Sequence, residues 1–118
     1  NVKTVHWAYQ EKCSQNYEKV AGANHPGCVI SIELNIPFET FYDSLQMLKS
    51  PSFGTEFTLC CPYVYLAHYS MMQTKAGQEE LKQAGISPYL LRLSVGLEPV
   101  EEIIAVLGQS LDRTYSKS

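Results

Sequence analysis

The pattern of hydrophobic and polar residues predicts a chain in which strands alternate with helices. Short runs rich in β-branched and aromatic residues, with side chains that alternate between apolar and polar, are typical of strands. Such runs predict strands at residues 2–7, 28–36 and 89–96, and a strand or extended loop at residues 55–61. The run at 28–36 is the clearest, because Gly27 and Pro37 bound it and these residue types punctuate secondary structure.

Apolar residues at helical spacing predict two amphipathic helices. In residues 37–50 the apolar positions recur every three or four residues, and Pro37 stands where proline favours the start of a helix. Residues 98–115 follow the same logic, with Pro99 at the start and acidic residues in the first turn, where the helix dipole favours them. A shorter helix is predicted at 78–85, a helix or irregular segment at 10–22, and no clear pattern covers 62–72.

These elements together predict an α+β fold, a small and mostly antiparallel sheet with helices packed on one face. A chain of 118 residues is long enough for one domain with a hydrophobic core. Charged residues make up 18% of the chain, below the ~25% of an ordinary soluble domain. This deficit indicates that part of the surface is covered by another unit, and we expect that unit on the other face of the sheet.

Charge and hydropathy argue against several classes of partner. The net charge is −3, and the basic residues are scattered, so no basic stripe is available for a nucleic-acid backbone. No apolar run approaches the ~20 residues of a membrane span, and the first ten residues lack the features of a signal peptide. The sequence therefore predicts a soluble, cytoplasmic protein that binds neither nucleic acid nor membrane.

The cysteines and histidines do not form a metal-binding pattern. There is no CxxC spacing, and no histidine lies in the close pairs that zinc sites use. We predict that Cys13, Cys28, Cys60 and Cys61 are reduced thiols of the core. The alternative is a nucleophilic thiolate, Cys60 or Cys61 activated by His68. The glycines occur singly, so no phosphate-binding loop is predicted.

One arginine interrupts an apolar run near the C-terminus. In a strand, alternate side chains point to opposite faces. One face would then carry Leu91, Leu93 and Val95, and the other Leu90, Arg92 and Ser94. A guanidinium matches a carboxylate with two parallel hydrogen bonds and is costly to desolvate without a partner. Arg92 is therefore predicted to bind a carboxylate ligand or, alternatively, to form a salt bridge or remain an exposed surface charge.

Two runs near the C-terminus resemble a known family of enzymes. The run LLRLSVGLEP, followed by EEIIAVLGQSL, resembles the end of pyridoxal-phosphate-dependent enzymes of cysteine and methionine metabolism, the cystathionine γ-synthase, cystathionine γ-lyase and O-acetylhomoserine sulfhydrylase type. The likeness extends more loosely through GCVISIELN, FETFYDSLQMLK and SFGTEFTLCCPYVYLAH, so that it covers residues 2–111. It implies the fold of the C-terminal domain of fold-type I pyridoxal-phosphate enzymes.

The resemblance implies roles for particular residues. By position, Arg92 corresponds to the arginine that binds the α-carboxylate of the amino-acid substrate, and Thr58 to a serine that lines the same pocket. Two departures leave the particular substrate open. Phe57 stands where several members have a glutamate, and Ala67 stands where a threonine is common. No catalytic, cofactor-binding or metal-binding residue is predicted in this chain.

The resemblance also implies that much of the enzyme lies elsewhere. In this family the cofactor lysine, an aspartate for the pyridine nitrogen and the phosphate-binding residues belong to a large upstream domain. None of the seven lysines here has the family's sequence context. Residues 1–118 are thus expected to be a C-terminal small domain, with pyridoxal phosphate bound in the complete enzyme but not by this chain, which would be inactive alone.

The predicted function follows from these implications. The chain would be the C-terminal domain of a pyridoxal-phosphate-dependent enzyme of sulfur amino-acid metabolism, a transsulfuration enzyme to which it contributes Arg92. Its partners would be the large domain, the amino-acid substrate and further copies of the complete enzyme. The alternative is a stand-alone binding or regulatory module that kept the fold and lost the enzyme.

Overall fold

The strands of this chain join into one mostly antiparallel sheet. The structure is a computed structural model that describes residues 1–10, 12 and 14–116. Within these residues the strands are β1 (Val2–His6), β2 (Val29–Leu34), β3 (Leu48–Lys49), β4 (Leu59–Pro62) and β5 (Leu90–Ser94). Their spatial order is β1-β2-β5-β4-β3, and every neighbouring pair is antiparallel except β3 with β4. The predicted α+β class and the mostly antiparallel sheet are confirmed.

Helices fill the connections between the strands. In the described part of the chain they are α1 (Ser14–Ala21), α2 (Phe38–Ser44), α3 (Tyr63–Ala67), α4 (Tyr69–Met72), α5 (Lys75–Gln83) and α6 (Val100–Tyr115). Helix α2 packs against α6, and both contribute side chains to the hydrophobic core. The buried members of that core are Ile32, Leu34, Phe38, Phe41, Leu45, Cys60, Leu91 and Leu93.

The strand register places Arg92 on the face of the sheet opposite the core. Paired residues of antiparallel strands share a face. Leu91 of β5 is paired with Ile32 of β2, and both are buried in the core. Arg92 is paired with Ser31 on one side and with Cys61 on the other. The alternation predicted from the sequence therefore holds at the centre of β5.

The helix predicted at residues 37–50 is shorter in the structure, and the prediction is wrong beyond Ser44. The Ser44 hydroxyl donates to the carbonyl oxygen of Phe41 over 2.9 Å, a bond that competes with backbone pairing. Leu45 is extended, with φ −73° and ψ 111°, yet only 1% of its surface is exposed. The chain thus buries Leu45 by turning out of the helix, and an exposed Leu48 begins β3.

Two further boundaries differ from the predictions for local reasons. Residues 62–72 form two short helices, which begin after Pro62 at the end of β4. Helix α5 begins at Lys75, earlier than predicted, because Thr74 caps it: its hydroxyl accepts a hydrogen bond from the Gly77 N–H over 3.1 Å. A threonine in this position satisfies one of the free N–H groups of the first turn.

Candidate functional site

Arg92 lies in the middle of β5, where neighbouring strands hold its backbone on both sides. Its side chain is partly buried. The cross-strand neighbours, Ser31 and Cys61, have short side chains, so the guanidinium extends past them towards the loop between β3 and β4. The local sequence explains this placement, because the residues on either side of Arg92 are leucines that face the core.

The loop between β3 and β4, residues 50–58, surrounds the guanidinium. Nη2 of Arg92 donates to the backbone carbonyl oxygens of Pro51 and Ser52, and the distance to the Ser52 oxygen is 3.3 Å. The ring of Phe53 lies beside the guanidinium, with 5.6 Å between the guanidinium carbon and the ring centroid, which is within cation–π range. These partners are uncharged, so they orient the guanidinium without neutralising it.

Among the residues that the structure describes, no acidic side chain forms an ion pair with Arg92. The ion pairs in that part of the chain both involve Glu33, with 3.4 Å to Lys3 Nζ and 2.9 Å to His6 Nε2. The salt-bridge alternative for Arg92 therefore finds no support. A guanidinium carries five N–H donors, and the hydrogen bonds described here use Nη2 only. The remaining donors can accommodate a carboxylate from outside the chain.

Thr58 is bound to the turn that follows β5. Its hydroxyl donates to Oε2 of Glu98 over 2.7 Å and accepts a hydrogen bond from the Gly96 N–H over 2.9 Å. Its backbone N–H donates to Oε1 of Glu98, also over 2.7 Å. The Thr58 hydroxyl bond, followed by the backbone bond, holds the pKa of Glu98 below its ordinary value. We call Thr58, Gly96 and Glu98 the clasp.

The clasp joins the loop to the end of β5 at close range. A Cβ atom at Gly96 would lie 2.5 Å from backbone atoms of Glu56, Phe57 and Thr58, so the backbone approach requires glycine. The Leu97 N–H donates to the Glu56 carbonyl oxygen over 2.8 Å. The loop is therefore bound to the β5 turn by backbone contacts as well as by the Glu98 carboxylate.

The two residues predicted for substrate binding thus occupy different positions around one loop. Arg92 contacts its first part, at Pro51 and Ser52, whereas Thr58 ends it. No described hydrogen bond joins Thr58 to Arg92, because the Thr58 hydroxyl uses its donor for Glu98 and accepts from Gly96. A role for Thr58 in the substrate pocket stays a prediction. The contacts of Pro51, Ser52 and Glu98 were not predicted, because their partners lie about forty residues away along the chain.

A cleft of about 740 Å³ lies elsewhere and does not include Arg92. Glu33 and Glu39 line it, but both carboxylates already have partners within the chain. The Tyr65 hydroxyl donates to Glu39 Oε1, and this bond lowers the pKa of Glu39. Burial, followed by the bond to Glu39, raises the pKa of Tyr65. We therefore regard this cleft as a region where an ion pair and hydrogen bonds within the chain satisfy the carboxylates.

The cysteines are poor candidates for nucleophiles. Burial raises the pKa of Cys60 to about 11 and also raises the pKa of Cys61, which opposes formation of a thiolate at neutral pH. Cys28, Cys60 and Cys61 are free thiols, with Cys28 only partly buried. Cys13 lies outside the described residues. The prediction of a core thiol holds for Cys60, whereas Cys61 is buried on the face of the sheet that carries Arg92.

The described residues do not suit a cofactor or a metal ion. A lysine that forms a Schiff base is typically desolvated, whereas every lysine that the structure describes is exposed. No group of three or more His, Cys, Asp or Glu side chains in the described part could hold a metal ion. Among the described helices, none has the length and apolarity needed to cross a membrane. The positions that depart from the family pattern, Phe57 and Ala67, are both exposed.

Fold and site together define an α+β domain in which the loop between β3 and β4 orients one partly buried arginine. A family profile described as "Cys/Met metabolism PLP-dependent enzyme" matches residues 1–112. The chain therefore belongs to this family of pyridoxal-phosphate-dependent enzymes, as the resemblance predicted.

Curated relatives agree with this assignment. The chain is 38% identical over 112 residues to the L-2-amino-4-chloropent-4-enoate dechlorinase/desaturase of Streptantibioticus cattleyicolor, an alignment that covers 94% of this chain and 22% of the relative. It is 37% identical over 113 residues to the cystathionine gamma-synthase of Neurospora crassa, with 93% and 17% covered. The chain thus spans about a fifth of the length of these relatives.

Solved structures share the fold. Cystathionine gamma-lyase from Lactobacillus plantarum, complexed with L-serine, superposes with a TM-score of 0.79 at 23% identity, over 97% of this chain and 29% of that protein. Cystathionine gamma synthase from Xanthomonas oryzae pv. oryzae, in complex with cystathionine, gives a TM-score of 0.76 at 26% identity, over 99% and 30%. The chain therefore has the fold of a part of each of these enzymes.

Proposed function

We propose that this chain is the C-terminal small domain of a pyridoxal-phosphate-dependent enzyme of sulfur amino-acid metabolism, in which Arg92 binds the α-carboxylate of the substrate. One observation carries the proposal. The Arg92 guanidinium is partly buried and oriented by two backbone carbonyls, and it has no acidic partner among the described residues. A guanidinium held in this way is ready to pair with an external carboxylate.

The physical effect of this contact would be orientation. A carboxylate that meets a planar guanidinium with two parallel hydrogen bonds is fixed in direction as well as in position. Because Nη2 is already directed by Pro51 and Ser52, little freedom would be lost when the ligand binds. Holding the amino acid in one geometry is itself a large part of catalysis.

The relatives support an amino acid as the ligand. Their names refer to 2-amino-4-chloropent-4-enoate, cystathionine and methionine, compounds that share an amino group beside a carboxylate. Bond-breaking chemistry and the cofactor would belong to the part of the enzyme outside residues 1–118, because no described lysine suits the cofactor. We propose that this remaining part is the principal partner of the chain, with further copies completing the oligomer.

Exposed apolar side chains around the clasp support a partner that covers this region. Leu97 is 82% exposed, and it follows the turn that binds the loop. The other exposed apolar residues of this region are Phe53, Phe57, Val100 and Ile104. We propose that these side chains contribute to an interaction surface, because exposed apolar patches are typical of such surfaces.

The proposal is tested by replacing Arg92 in the complete enzyme. Arg92→Gln should lower kcat/KM for the amino-acid substrate on the order of 10–100-fold, because a charged hydrogen-bonding partner is lost. Cofactor content, read from its absorbance, should stay unchanged. The matched control is Arg113→Gln, which removes the other arginine of the chain, an exposed one at the end of α6. Equal kinetics for the wild type and Arg92→Gln would refute the assigned role.

A further inference from the structure

We propose that Glu98 is a positioning residue, which acts through Thr58 and the loop at residues 50–58 to hold the carboxylate-binding arrangement of Arg92. This inference rests on the proposed function of Arg92. It assigns Thr58 a role different from direct contact with the substrate, since the Thr58 hydroxyl is bound to Glu98 and Gly96.

Each oxygen of the Glu98 carboxylate accepts a hydrogen bond from the loop. Oε1 accepts from the Thr58 N–H and Oε2 accepts from the Thr58 hydroxyl, each over 2.7 Å. Two bonds from one residue to one carboxylate fix both the position and the direction of the strand start, because a single bond would still permit rotation. The clasp therefore sets where β4 begins relative to the end of β5.

The Glu98 side chain does not cap the helix that it precedes. Helix α6 begins after Pro99, and no side-chain hydrogen bond caps its N-terminus. The Glu98 side chain instead bridges forty residues of sequence to reach Thr58. Glu98 also forms no ion pair with Arg92 in the described part of the chain. Its effect on Arg92 must therefore pass through the loop.

The loop connects the clasp to the guanidinium over a short path. Thr58 ends the loop, Gly54 lies in its middle and Ser52 near its start. The Gly54 N–H donates to the hydroxyl of Ser94, two residues after Arg92 on β5, over 2.9 Å. Five residues thus separate Thr58 of the clasp from Ser52, whose carbonyl oxygen accepts a hydrogen bond from Arg92. Freeing the clasp end would let the carbonyls of residues 51 and 52 move away from the guanidinium.

The test compares two ligands that differ only in the carboxylate. L-norleucine and n-pentylamine share an amino group and a four-carbon side chain, and only the amino acid has a carboxylate for Arg92. Their dissociation constants are measured with the complete, cofactor-loaded enzyme by calorimetry. In Glu98→Ala we expect the affinity for norleucine to fall on the order of tenfold, with the affinity for pentylamine unchanged. An equal loss for both ligands would indicate general disruption and would overturn the proposal.

Variants of Thr58 separate positioning from direct contact. Thr58→Val replaces the hydroxyl with a methyl group of similar size, whereas Thr58→Ser keeps the hydroxyl. Norleucine affinity should therefore fall in Thr58→Val and stay close to the wild-type value in Thr58→Ser. In the double variant Glu98→Ala/Thr58→Val, the loss should equal that of Glu98→Ala alone, because both changes break the same clasp. A loss equal to the product of the two single losses would show that Thr58 contacts the ligand directly. If Glu98→Ala does not fold, the comparison of Thr58→Val with Thr58→Ser still tests the proposal.

Arg92→Gln distinguishes the failure of this inference from the failure of the proposed function. If Arg92→Gln leaves the norleucine-to-pentylamine preference intact, the proposed function of Arg92 is wrong. If Arg92→Gln abolishes the preference while Glu98→Ala and Thr58→Val preserve it, only the positioning role of Glu98 is wrong.

Discussion

Glu33 and Arg92 are charged side chains on the same face of two neighbouring strands, yet their charges are satisfied in different ways. Arg92 is paired with Ser31 of β2, and Glu33 lies two residues further along that strand. Glu33 has 8% of its surface exposed, and its carboxylate oxygens lie 3.4 Å from the Lys3 ammonium and 2.9 Å from His6 Nε2. The guanidinium of Arg92 is bound by neutral carbonyls.

The charge of Glu33 is paired within the chain, whereas no described acidic side chain pairs with Arg92. Burial of a charge is tolerated when an opposite charge is supplied by the fold, and Glu33 meets that condition through β1. Arg92 has its direction fixed by the loop but keeps its charge available. A cleft of about 740 Å³ is lined by Glu33 and not by Arg92, so the position of this cleft does not indicate which of the two charges lacks an ionic partner among the described residues.

The largest effect should come from Gly96→Ala, which disturbs the loop at residues 50–58. This loop contacts Arg92 but not Glu33. The new Cβ would lie 2.5 Å from three backbone positions of the loop. Backbone cannot yield as a side chain can, so we expect the free energy of unfolding to fall by about 3 kcal/mol, the upper end of the usual cost of overpacking.

Chemical denaturation measures this effect, with Gly108→Ala as the control. Gly108 lies inside α6, and a Cβ there meets nothing within 4 Å. That substitution should stabilise the protein by about 0.5–1 kcal/mol. If Gly96→Ala were as harmless as Gly108→Ala, the close approach between the loop and β5 would be wrong.

The elements that were predicted correctly depend on local signals. Strand alternation placed the leucines beside Arg92 in the core, and Pro99 with its acidic neighbours marked the start of α6. The helix at residues 37–50 was predicted too long because Leu45 fits a helical stripe as well as it fits the observed turn. Pairing of Leu48 with β4 decides between them, and that pairing is a contact between distant parts of the chain.

Within the candidate site, too, local features could be predicted and contacts between distant parts of the chain could not. The position of Arg92 on the face opposite the core could be predicted because strand alternation is a local signal. Its role in binding stays a prediction. The clasp could not, since Thr58 and Glu98 are forty residues apart and the intervening helices give no signal of their contact. Thr58 was found by resemblance, but the partner of its hydroxyl was visible only when the β3–β4 loop and the turn after β5 met in space.

Two glutamine variants test whether Glu33 contributes to stability and Arg92 to ligand affinity. Glu33→Gln should lower the free energy of unfolding by about 1 kcal/mol, since Lys3 loses an ionic partner and the hydrogen bond with His6 changes, while both partners are partly exposed to water. Ligand affinity should not change. Arg92→Gln should do the reverse, with a change in stability below about 0.5 kcal/mol.

Denaturation and norleucine binding by the complete enzyme are measured in parallel on both variants. Glu79→Gln, an exposed position on α5, controls for the change in net charge. A loss of norleucine affinity in Glu33→Gln would contradict the view that its charge is purely structural.

A smaller effect is expected in the pH dependence of stability. The His6 hydrogen bond, followed by that of Lys3, holds the pKa of Glu33 below its ordinary value of 4.5. The folded state therefore binds this proton less readily than the unfolded state. The resulting stabilisation is present above pH 4.5 and is lost as the pH falls through the lower folded-state pKa.

Glu33→Gln removes this contribution, which we expect to be less than about 1 kcal/mol because its cationic partners are exposed. Unfolding measured between about pH 3 and 6 should show a shallower decline in the variant. Some decline remains, since Glu39 and Glu98 also have lowered pKa values. Parallel curves for the two proteins would exclude Glu33 as a source of acid sensitivity.

The smallest effect concerns the aromatic ring beside Arg92. Phe53→Leu keeps an apolar side chain in the loop but removes the ring that lies 5.6 Å from the guanidinium carbon. An exposed cation–π contact contributes about 0.5–1 kcal/mol, and the ring helps to hold the guanidinium where its carbonyl partners direct it. We expect norleucine affinity to fall roughly two- to fivefold.

The control is Lys49→Gln, which breaks the other cation–π contact of the described residues, in which Lys49 Nζ lies 4.8 Å from the centroid of the Tyr42 ring. If both variants weakened binding equally, the ring of Phe53 would have no particular part in orienting Arg92, and the backbone carbonyls alone would account for the difference between the two charges.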